Sequence, residues 1–197
     1  MGRTTGFPSR PMTLQPVPLS KACRLLNHGP TVLVSSAHAG RRNVMAAAWT
    51  MPLDFDPPKV AVVIDKSTFT RELIEASGEF VLALPTRSLA AQTLAAGSSS
   101  GRDGDKFNTL GLETHPASLV AAPLPAGCIG WLECRVIEEP HIQCTYDLFL
   151  AEVLAAWADP ASFSDGHWHF QGDALRSIHY VAGGNFFVTG EAFDEKE

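Results

Sequence analysis

The feature that most limits the fold of this chain is the division of its apolar residues into short runs that end at turn residues. PKVAVVID (58–65) and EFVLALPT (79–86) have the length and composition of strands, and the first is almost wholly apolar. The chain has no G-x-G-x-x-G motif and no regular alternation of strands with helices, which disfavours a dinucleotide-binding fold. Short strands joined by turns predict a mainly β fold, an antiparallel barrel or sandwich with a few short inserted helices.

Further segments follow the same pattern. A strand over 31–40 and a second over 43–53 flank a turn predicted at GRRN (40–43). Later strands are predicted within 126–140, 147–159 and 177–191, and short helices at TRELIEASG (70–78) and SLAAQTLAAG (88–97).

The length of 197 residues suits one domain with short appendages. Residues 1–18, rich in Pro, Arg and Thr, predict an extended arm, and residues 19–190 the folded domain. The acidic residues 191–197 predict a solvated tail.

Composition and charge exclude several classes of protein. The net charge of −6 argues against a nucleic-acid partner. No apolar run approaches the length of a membrane span, and the first residues lack the apolar core of a signal peptide. The four cysteines show neither a C-x-x-C pair nor zinc-ligand spacing. We therefore expect a cytoplasmic protein with reduced thiols and no membrane partner.

Three motifs suggest catalysis or metal binding, but a simpler interpretation is stronger for each. GSSSG (97–101) matches a nucleophile elbow at Ser99, but a helix-like run precedes it where that motif needs a strand. His167 and His169 could share one face of a strand, but no third metal ligand stands at a recognisable spacing, so no metal site is predicted. Glu133 and Glu152 could form an acid pair, and we expect them instead to face solvent.

The segment DKSTFTR (65–71) combines hydroxyls, a helix start and cations. Ser67 or Thr68 could cap the helix, but Thr70 and Arg71 stand where a capping box would need Glu or Gln. The same groups could bind an anion at the N–H groups of the helix start. Local chemistry leaves the two interpretations evenly balanced.

The segment NVMAAAW (43–49) carries three consecutive alanines. Small side chains would let a flat aromatic ligand approach the backbone closely. Tight packing of the strand against a helix explains the same residues, and the sequence leaves both interpretations open.

The ordered set of these segments resembles the flavin reductase-like family with an FMN-binding split barrel, which includes flavoredoxins and reductase components of two-component monooxygenases. The resemblance rests on NVMAAAWT, on PPKVAVVIDKSTFTRELIEASGEFVLALPT and on SGRDGDKF, followed by APLPAGCIGWLECRV, YDLFLAEVLAAWADP and HYVAGGNFFVTGE. Two departures stand out. Ser67 and Phe69 replace the His-Thr pattern common in the phosphate segment, and TYD (145–147) replaces a GDH stretch.

The resemblance implies a homodimer of antiparallel Greek-key split barrels that binds FMN near the subunit interface. It also implies that the chemistry takes place on the flavin, with no catalytic side chain and with NAD(P)H as electron donor. Trp49, Phe107 and Tyr180 would be apolar walls around the ring. The residues implied in binding are Met45, Ala46, Ala47, Ala48, Trp49 and Thr50 for the ring; Lys66, Ser67, Thr68, Thr70 and Arg71 for the phosphate; and Ser99, Ser100, Gly101, Lys106 and Phe107 in a closing loop.

The predicted function is therefore a flavin reductase-like oxidoreductase that passes electrons from NAD(P)H through FMN to an acceptor or to free flavin. A protein electron partner or a monooxygenase component would be its partner. Two alternatives stay open: a flavoredoxin-type carrier reduced by a partner protein, and a non-catalytic flavin-binding module.

Overall fold

Antiparallel pairing between strands that are distant in sequence organises residues 13–195, the part of the chain that the structure, a computed structural model, describes. The main sheet has the strand order β3-β2-β6-β9-β10-β5-β4, and β1 pairs with β10. Its strands are β1 (Gln15–Pro16), β2 (Val32–His38), β3 (Arg41–Ala47), β4 (Thr50–Phe55), β5 (Pro58–Val63), β6 (Glu79–Pro85), β9 (Cys128–Ile137) and β10 (Leu148–Ala158).

Smaller elements cover this sheet. Three two-stranded sheets pair β7 (Thr114–His115) with β8 (Leu124–Pro125), β11 (Phe163–Ser164) with β12 (His167–Trp168), and β13 (Ile178–Ala182) with β14 (Asn185–Val188). The α-helices are α1 (Phe69–Ser77), α2 (Ala90–Ser98), α3 (Lys106–Thr109) and α4 (Pro140–Tyr146). Short 3₁₀ helices span Leu19–Leu25, Arg87–Leu89 and Asp173–Leu175. The predicted mainly β, antiparallel split-barrel fold is confirmed.

The apolar core lies on both faces of the sheet. On β6, Phe80, Leu82 and Leu84 pack into one cluster, whereas Val81 and Ala83 pack into the other. This division follows from the period of two in a strand, which sends neighbouring side chains to opposite faces. A strand covered on both faces has to be apolar almost throughout, which explains why these runs lack the alternation of a half-exposed strand.

Two sequence expectations for the strands need correction. The run 43–53 is two strands, because the chain bends at Ala48 and Trp49 between β3 and β4. The turn before β3 is Ala39–Gly40, two residues with positive φ, and Arg41, Arg42 and Asn43 already belong to the strand. A two-residue turn of this kind suits the twist of a tight hairpin.

The predicted arm and the predicted tail are only partly covered by the described residues. Residues 1–12 of the predicted arm lie outside the described residues, while Gln15–Pro16 pair with β10 and Val17 is buried. Residues 196 and 197 of the predicted tail also lie outside them. The boundaries at 18 and 190 stay a prediction. Within residues 13–195, no helix is long and apolar enough to cross a membrane.

Candidate functional site

The outer edge of β3 forms the floor of the site. On its other edge this strand pairs with β2, in an antiparallel ladder where successive residues point their N–H and C=O groups alternately toward and away from the partner. Lys106 Nζ donates a 3.0 Å hydrogen bond to Val44 O, so Val44 belongs to the outward set. Ala46, two residues on, also points its backbone groups away from β2. A ligand at this edge could therefore reach the N–H and C=O groups of Ala46, because the methyl side chain of this residue is small.

A groove with a cavity volume of about 510 Å³ lies along this edge. That volume falls within the ~300–1,000 Å³ typical of small-molecule sites. Its floor consists of residues 45–49 of β3 and the following bend. Aromatic and aliphatic side chains supply the walls, together with Thr31, Thr93 and two carboxylates. The remaining lining residues are Val63, Asp65, Leu94, Gly97, Ser98, Tyr146, Asp147, Tyr180 and Phe186.

A smaller polar cavity of about 190 Å³ adjoins the groove, and Met45, Ala46 and Gly97 line both. It lies between β3, the start of α1 and the loop after α2. Two cations and several hydroxyls face it. Its other lining residues are Asn43, Ser67, Thr68, Phe69, Thr70, Ala96, Ser99, Ser100, Gly101, Arg102 and Lys106.

The hydroxyls at the start of α1 are not equally free. Ser67 Oγ donates to Asp65 Oδ1 over 2.6 Å, and Thr68 Oγ1 donates to Asp65 O over 2.8 Å. Thr68 is the N-cap, since its Oγ1 also accepts from Arg71 N. The oxygen of Thr70 accepts from Asn43 Nδ2, which leaves the Thr70 O–H available to donate. The residues that begin α1 thus cap the helix and also line the polar cavity.

The hydrogen bonds from Ser67 also favour the ionised form of Asp65 at this end of the groove. Its hydroxyl and its backbone N–H both donate to the Asp65 carboxylate and hold the pKa of Asp65 below its usual range. Asp65 therefore stays ionised at neutral pH.

Arg71 points away from the polar cavity. Its guanidinium is buried, pairs with Asp147 at 2.5 Å and with Glu75 at 2.6 Å, and donates to the backbone oxygens of Ile64 and Gln143. Burial opposes its charge, but the two ion pairs raise the pKa of Arg71 above its ordinary value. This arginine joins α1 to the turn between α4 and β10, and it is not among the residues that line either cavity.

Arg102, which the sequence analysis did not select, lines the cavity instead. It lies in the loop after α2 and reaches across to α1, where Nη1 donates to Ser67 O over 2.8 Å and Nε to Glu72 Oε1 over 3.1 Å. Its presence in SGRDGDKF was the only sequence signal for this role.

Lys106 is a buried cation at the inner wall of the polar cavity. Its ammonium bonds Val44 O and Ala96 O, at 3.0 and 2.7 Å, which ties β3 to α2. Two of its three N–H donors are used in this way, so one is left for a ligand. Burial lowers the pKa of Lys106 from 10.5 to about 8.

The loop over the cavity packs closely on the floor. A methyl group at Gly101 would lie 2.1 Å from Asn43 Oδ1 and 3.1 Å from the Phe69 ring, so glycine is required by space. Ser99 Oγ donates a hydrogen bond to Ala95 O, the carbonyl oxygen four residues earlier in α2. Because helix α2 precedes Ser99, the nucleophile-elbow hypothesis is wrong. Ser100 Oγ accepts from Arg102 N, so its O–H remains a donor.

Four of the residues predicted for the site line neither cavity. Thr50 is half-buried on β4, and Lys66 is exposed. Phe107 is buried in the core on the far side of β3, where it also contacts the Arg42 guanidinium. Arg71 is the fourth. The other twelve line the groove or the polar cavity.

Two side-chain atoms at the site are buried without a hydrogen-bond partner among the described residues. They are Thr93 Oγ1, on the groove wall, and Asn43 Oδ1, on the floor of the polar cavity. Buried polar atoms are usually paired, so orphans of this kind mark places where a ligand can complete the bonding. The sequence pattern had indicated neither residue.

The expectation that Glu133 faces solvent is wrong, because this residue is buried. Its carboxylate accepts from Ser118 N and Oγ, Leu119 N and Trp157 Nε1. Burial would raise the pKa of Glu133, but these hydrogen bonds hold it below the usual value. Glu152 faces solvent as expected.

The two histidines of HWH have separate partners. His167 bonds Asp165 O, and His169 bonds Ser164 Oγ. Among residues 13–195, no cluster of three or more His, Cys, Asp or Glu side chains could hold a metal ion.

Comparison with known proteins identifies a family for this chain. The family described as Flavin reductase like domain matches residues 24–177. The uncharacterized protein YddH of Escherichia coli K12 is 45% identical over 179 residues, which are 89% of this chain and 95% of YddH.

Solved structures show the same relationship. An FMN-binding domain of a flavin reductases-like enzyme from Shewanella baltica OS155 is 49% identical, with a TM-score of 0.91 over 94% of this chain and 98% of its own. Flavoredoxin of Desulfovibrio vulgaris (Miyazaki F) is 25% identical, with a TM-score of 0.72 over 99% of this chain and 97% of its own.

Proposed function

This chain belongs to the flavin reductase-like family, and we propose that it binds FMN in the two adjoining cavities and acts as an NAD(P)H-dependent flavin oxidoreductase. The observation that carries the proposal is the pairing of a long apolar groove with a small cationic cavity along one strand edge. A flavin mononucleotide has the matching division, a flat aromatic ring system joined by a chain to a phosphate.

The polar cavity suits a phosphate. Thr70 and Ser100 each retain an O–H donor, while Arg102 and Lys106 supply positive charge. Charge-assisted bonds to a phosphate are stronger than those between neutral groups, and the start of α1 adds a favourable dipole. We assign the phosphate to these four residues. Arg71, which the sequence analysis favoured, would act only by supporting the helix.

The groove suits the ring. The outward peptide groups of Ala46 can bond the polar edge of a flat ligand, and the small side chains of Ala46 and Ala47 permit close approach. Trp49 and Tyr180 stand on the walls and offer aromatic contact. Thr93 Oγ1, which is buried without a hydrogen-bond partner within residues 13–195, would gain one from a ligand.

When bound, FMN supplies the electron and hydride transfer, and the protein supplies orientation and the electrostatic environment. No side chain is assigned as a general acid or base. The two carboxylates of the groove, Asp65 and Asp147, are already engaged by Ser67 and Arg71.

The test is spectroscopic. The purified chain, freed of flavin, is titrated with FMN and then mixed anaerobically with NADH or NADPH in a stopped-flow instrument. We expect saturable FMN binding followed by loss of the oxidised flavin absorbance with at least one nicotinamide. A chain that does not bind FMN would refute the proposal.

A second function is a flavoredoxin-type carrier, reduced by a partner protein. The similarity to flavoredoxin over almost the whole chain favours it. FMN binding without reduction by either nicotinamide would support this alternative, and an iron–sulfur or flavoprotein donor should then reduce the flavin. FMN binding without reduction by any donor would leave a non-catalytic flavin-binding module.

We further propose a homodimer in which a second copy covers β4. Met51, Leu53 and Phe55 on this edge strand are exposed by 45–67%, and Trp49 in the bend before it by 76%. A row of large apolar side chains on an edge strand is seldom left uncovered. Trp49 also lines the groove, so a second copy seated here would lie beside the ligand.

Sedimentation of the wild type and of a Leu53→Glu/Phe55→Glu variant tests this dimer. We expect the wild type to sediment as a dimer and the variant as a monomer, and a monomeric wild type would refute the proposal. A cytoplasmic location, with a monooxygenase component or another electron acceptor as partner, completes the proposed role.

A further inference from the structure

The loop after α2 is fastened across the mouth of the polar cavity at three points. Gly101 is seated against Asn43 and Phe69 at its centre. Arg41 donates to Arg102 O from one side over 3.3 Å. On the other side the Arg102 guanidinium reaches α1. Only the last of these contacts joins the loop to the helix through an ion pair.

That ion pair leaves part of the guanidinium free. Nε and Nη2 of Arg102 both donate to Glu72 Oε1, and Nη1 donates to Ser67 O. Three of the five N–H donors of an arginine are then in use, and two remain. Because the guanidinium is planar and rigid, fixing three donors also fixes the direction of the other two.

We propose that Glu72 is a positioning residue, which latches Arg102 over the cavity and thereby slows exchange of the phosphate-bearing ligand. The inference rests on the proposed function and addresses whether FMN is held or exchanged. Glu72 makes no contact with the ligand in this arrangement. It acts on Arg102 alone, keeping the loop closed while the two remaining donors face the phosphate.

The size of the effect follows from exposure. The Arg102 and Glu72 side chains are 43% and 51% exposed, so solvent screens the pair. Exposed ion pairs shift an equilibrium by at most about fivefold, and the double contact places this one near the upper end. We expect loss of the pair to speed ligand dissociation by about threefold to fivefold.

The same helix offers a matched control. Glu75 is 50% exposed, stands one turn after Glu72 and is also paired with an arginine, but that partner is Arg71, directed away from the cavity. Glu72→Gln and Glu75→Gln therefore remove the same charge from the same helix, and they differ in which arginine loses its glutamate partner.

The experiment compares dissociation of FMN and of riboflavin, which lacks the phosphate, from the full chain. We expect Glu72→Gln to release FMN about threefold to fivefold faster than wild type and Glu75→Gln, with riboflavin unchanged. Arg102→Gln should also speed FMN release, and adding Glu72→Gln to it should have no further effect. Equal FMN rates in the two glutamate variants, slower release from Glu72→Gln, or equal acceleration of riboflavin would overturn the proposal.

A measurement on the flavin-free chain tests the latch separately from FMN binding. Amide hydrogen exchange over residues 99–105 of the flavin-free chain should be faster in Glu72→Gln than in wild type or Glu75→Gln. Unchanged exchange would overturn the latch even where FMN binds. A wild type that binds neither flavin would instead refute the proposed function, and with it the role in flavin exchange, whatever the loop does.

Discussion

Asn43 and Thr70 are joined by a buried hydrogen bond of 2.8 Å, in which Asn43 Nδ2 donates to Thr70 Oγ1. The bond links the floor strand β3 to the first turn of α1, so it holds two walls of the polar cavity together. It also orients Thr70, because an oxygen that accepts from Asn43 directs its own O–H elsewhere.

Thr70→Val tests this link, since it keeps the shape of the side chain and removes the hydroxyl. Asn43 Nδ2 would lose its partner, and leaving a buried donor unsatisfied costs about 1–3 kcal/mol. We expect a loss of that size in the free energy of unfolding, measured by urea denaturation, and weaker FMN binding by titration. Thr70→Ser should restore both. A valine variant with wild-type FMN affinity would remove Thr70 from the site.

Arg71→Ala should be far more damaging to stability than Arg102→Ala. The buried Arg71 guanidinium bonds two carboxylates and two backbone oxygens, and hydrogen bonds that involve a charged group contribute about 1.5–3 kcal/mol each, so we expect a loss of at least that size. Arg102 is about half exposed, so its loss should cost less than about 1 kcal/mol of stability.

For ligand binding, we expect the reverse order of the same two variants. At a temperature where both are folded, Arg102→Ala should weaken FMN binding more, because only Arg102 faces the cavity. Urea denaturation and FMN titration of both proteins supply the comparison. Stronger loss of FMN affinity in the Arg71 variant would restore the sequence-based assignment.

FMN binding should weaken as the pH rises through about 8, the pKa of the buried Lys106. Below that value the ammonium is charged and attracts the phosphate, whose own second pKa of about 6 keeps it doubly charged throughout the range. Titrations between pH 7 and 9 should show the decline in the wild type and not in Lys106→Met. A pH dependence shared by both proteins would assign it to another group.

The lowered pKa has a second consequence for the flavin-free chain. Between about 8 and 10.5 the unfolded chain binds the Lys106 proton and the folded chain does not, so the free energy of unfolding gains a contribution that rises with pH. Lys106→Met should lack this contribution. Urea denaturation across the same range measures the difference between the two proteins.

Gly101→Ala should destabilise the loop, because its methyl group would overlap Asn43 Oδ1. Overpacking of this kind costs about 1–3 kcal/mol or displaces the segment. Gly104→Ala is the control, since a methyl group there meets no atom of the described residues within 4 Å. We expect lower stability and weaker FMN binding for the first and wild-type behaviour for the second. Equal behaviour of the two variants would show that the loop does not pack on Asn43.

Glu133→Gln should lower stability by about 1–3 kcal/mol, since an amide cannot accept all the bonds that the carboxylate receives from Ser118, Leu119 and Trp157. Because the pKa of Glu133 is lowered in the folded chain, its contribution is present above the ordinary carboxyl pKa and is lost as the pH falls. Urea denaturation at pH 7 and pH 4 should show a smaller acid sensitivity in the variant. The exposed Glu152→Gln should stay within about 0.5 kcal/mol of wild type at both.

Local sequence patterns determined much of the architecture. Apolar runs of strand length located most of the main-sheet strands, and Gly78 marked the end of α1, where it adopts the left-handed conformation of a helix cap. The same patterns identified the two segments that meet at the site. These features depend on residues close together in the chain, so periodicity and turn chemistry reveal them.

Tertiary structure decided which of two nearby arginines faces the cavity. Arg71 stands among the hydroxyls of DKSTFTR, but its guanidinium forms an ion pair with Asp147, 76 positions away. Arg102 comes from a separate loop and fills the place that local sequence gave to Arg71. The burial of Glu133 also arises from contacts with residues distant in sequence, Ser118, Leu119 and Trp157. By itself the sequence determined which segments carry polar groups, while the directions of Thr70, Arg71 and Arg102 were settled by partners that only the folded chain brings near.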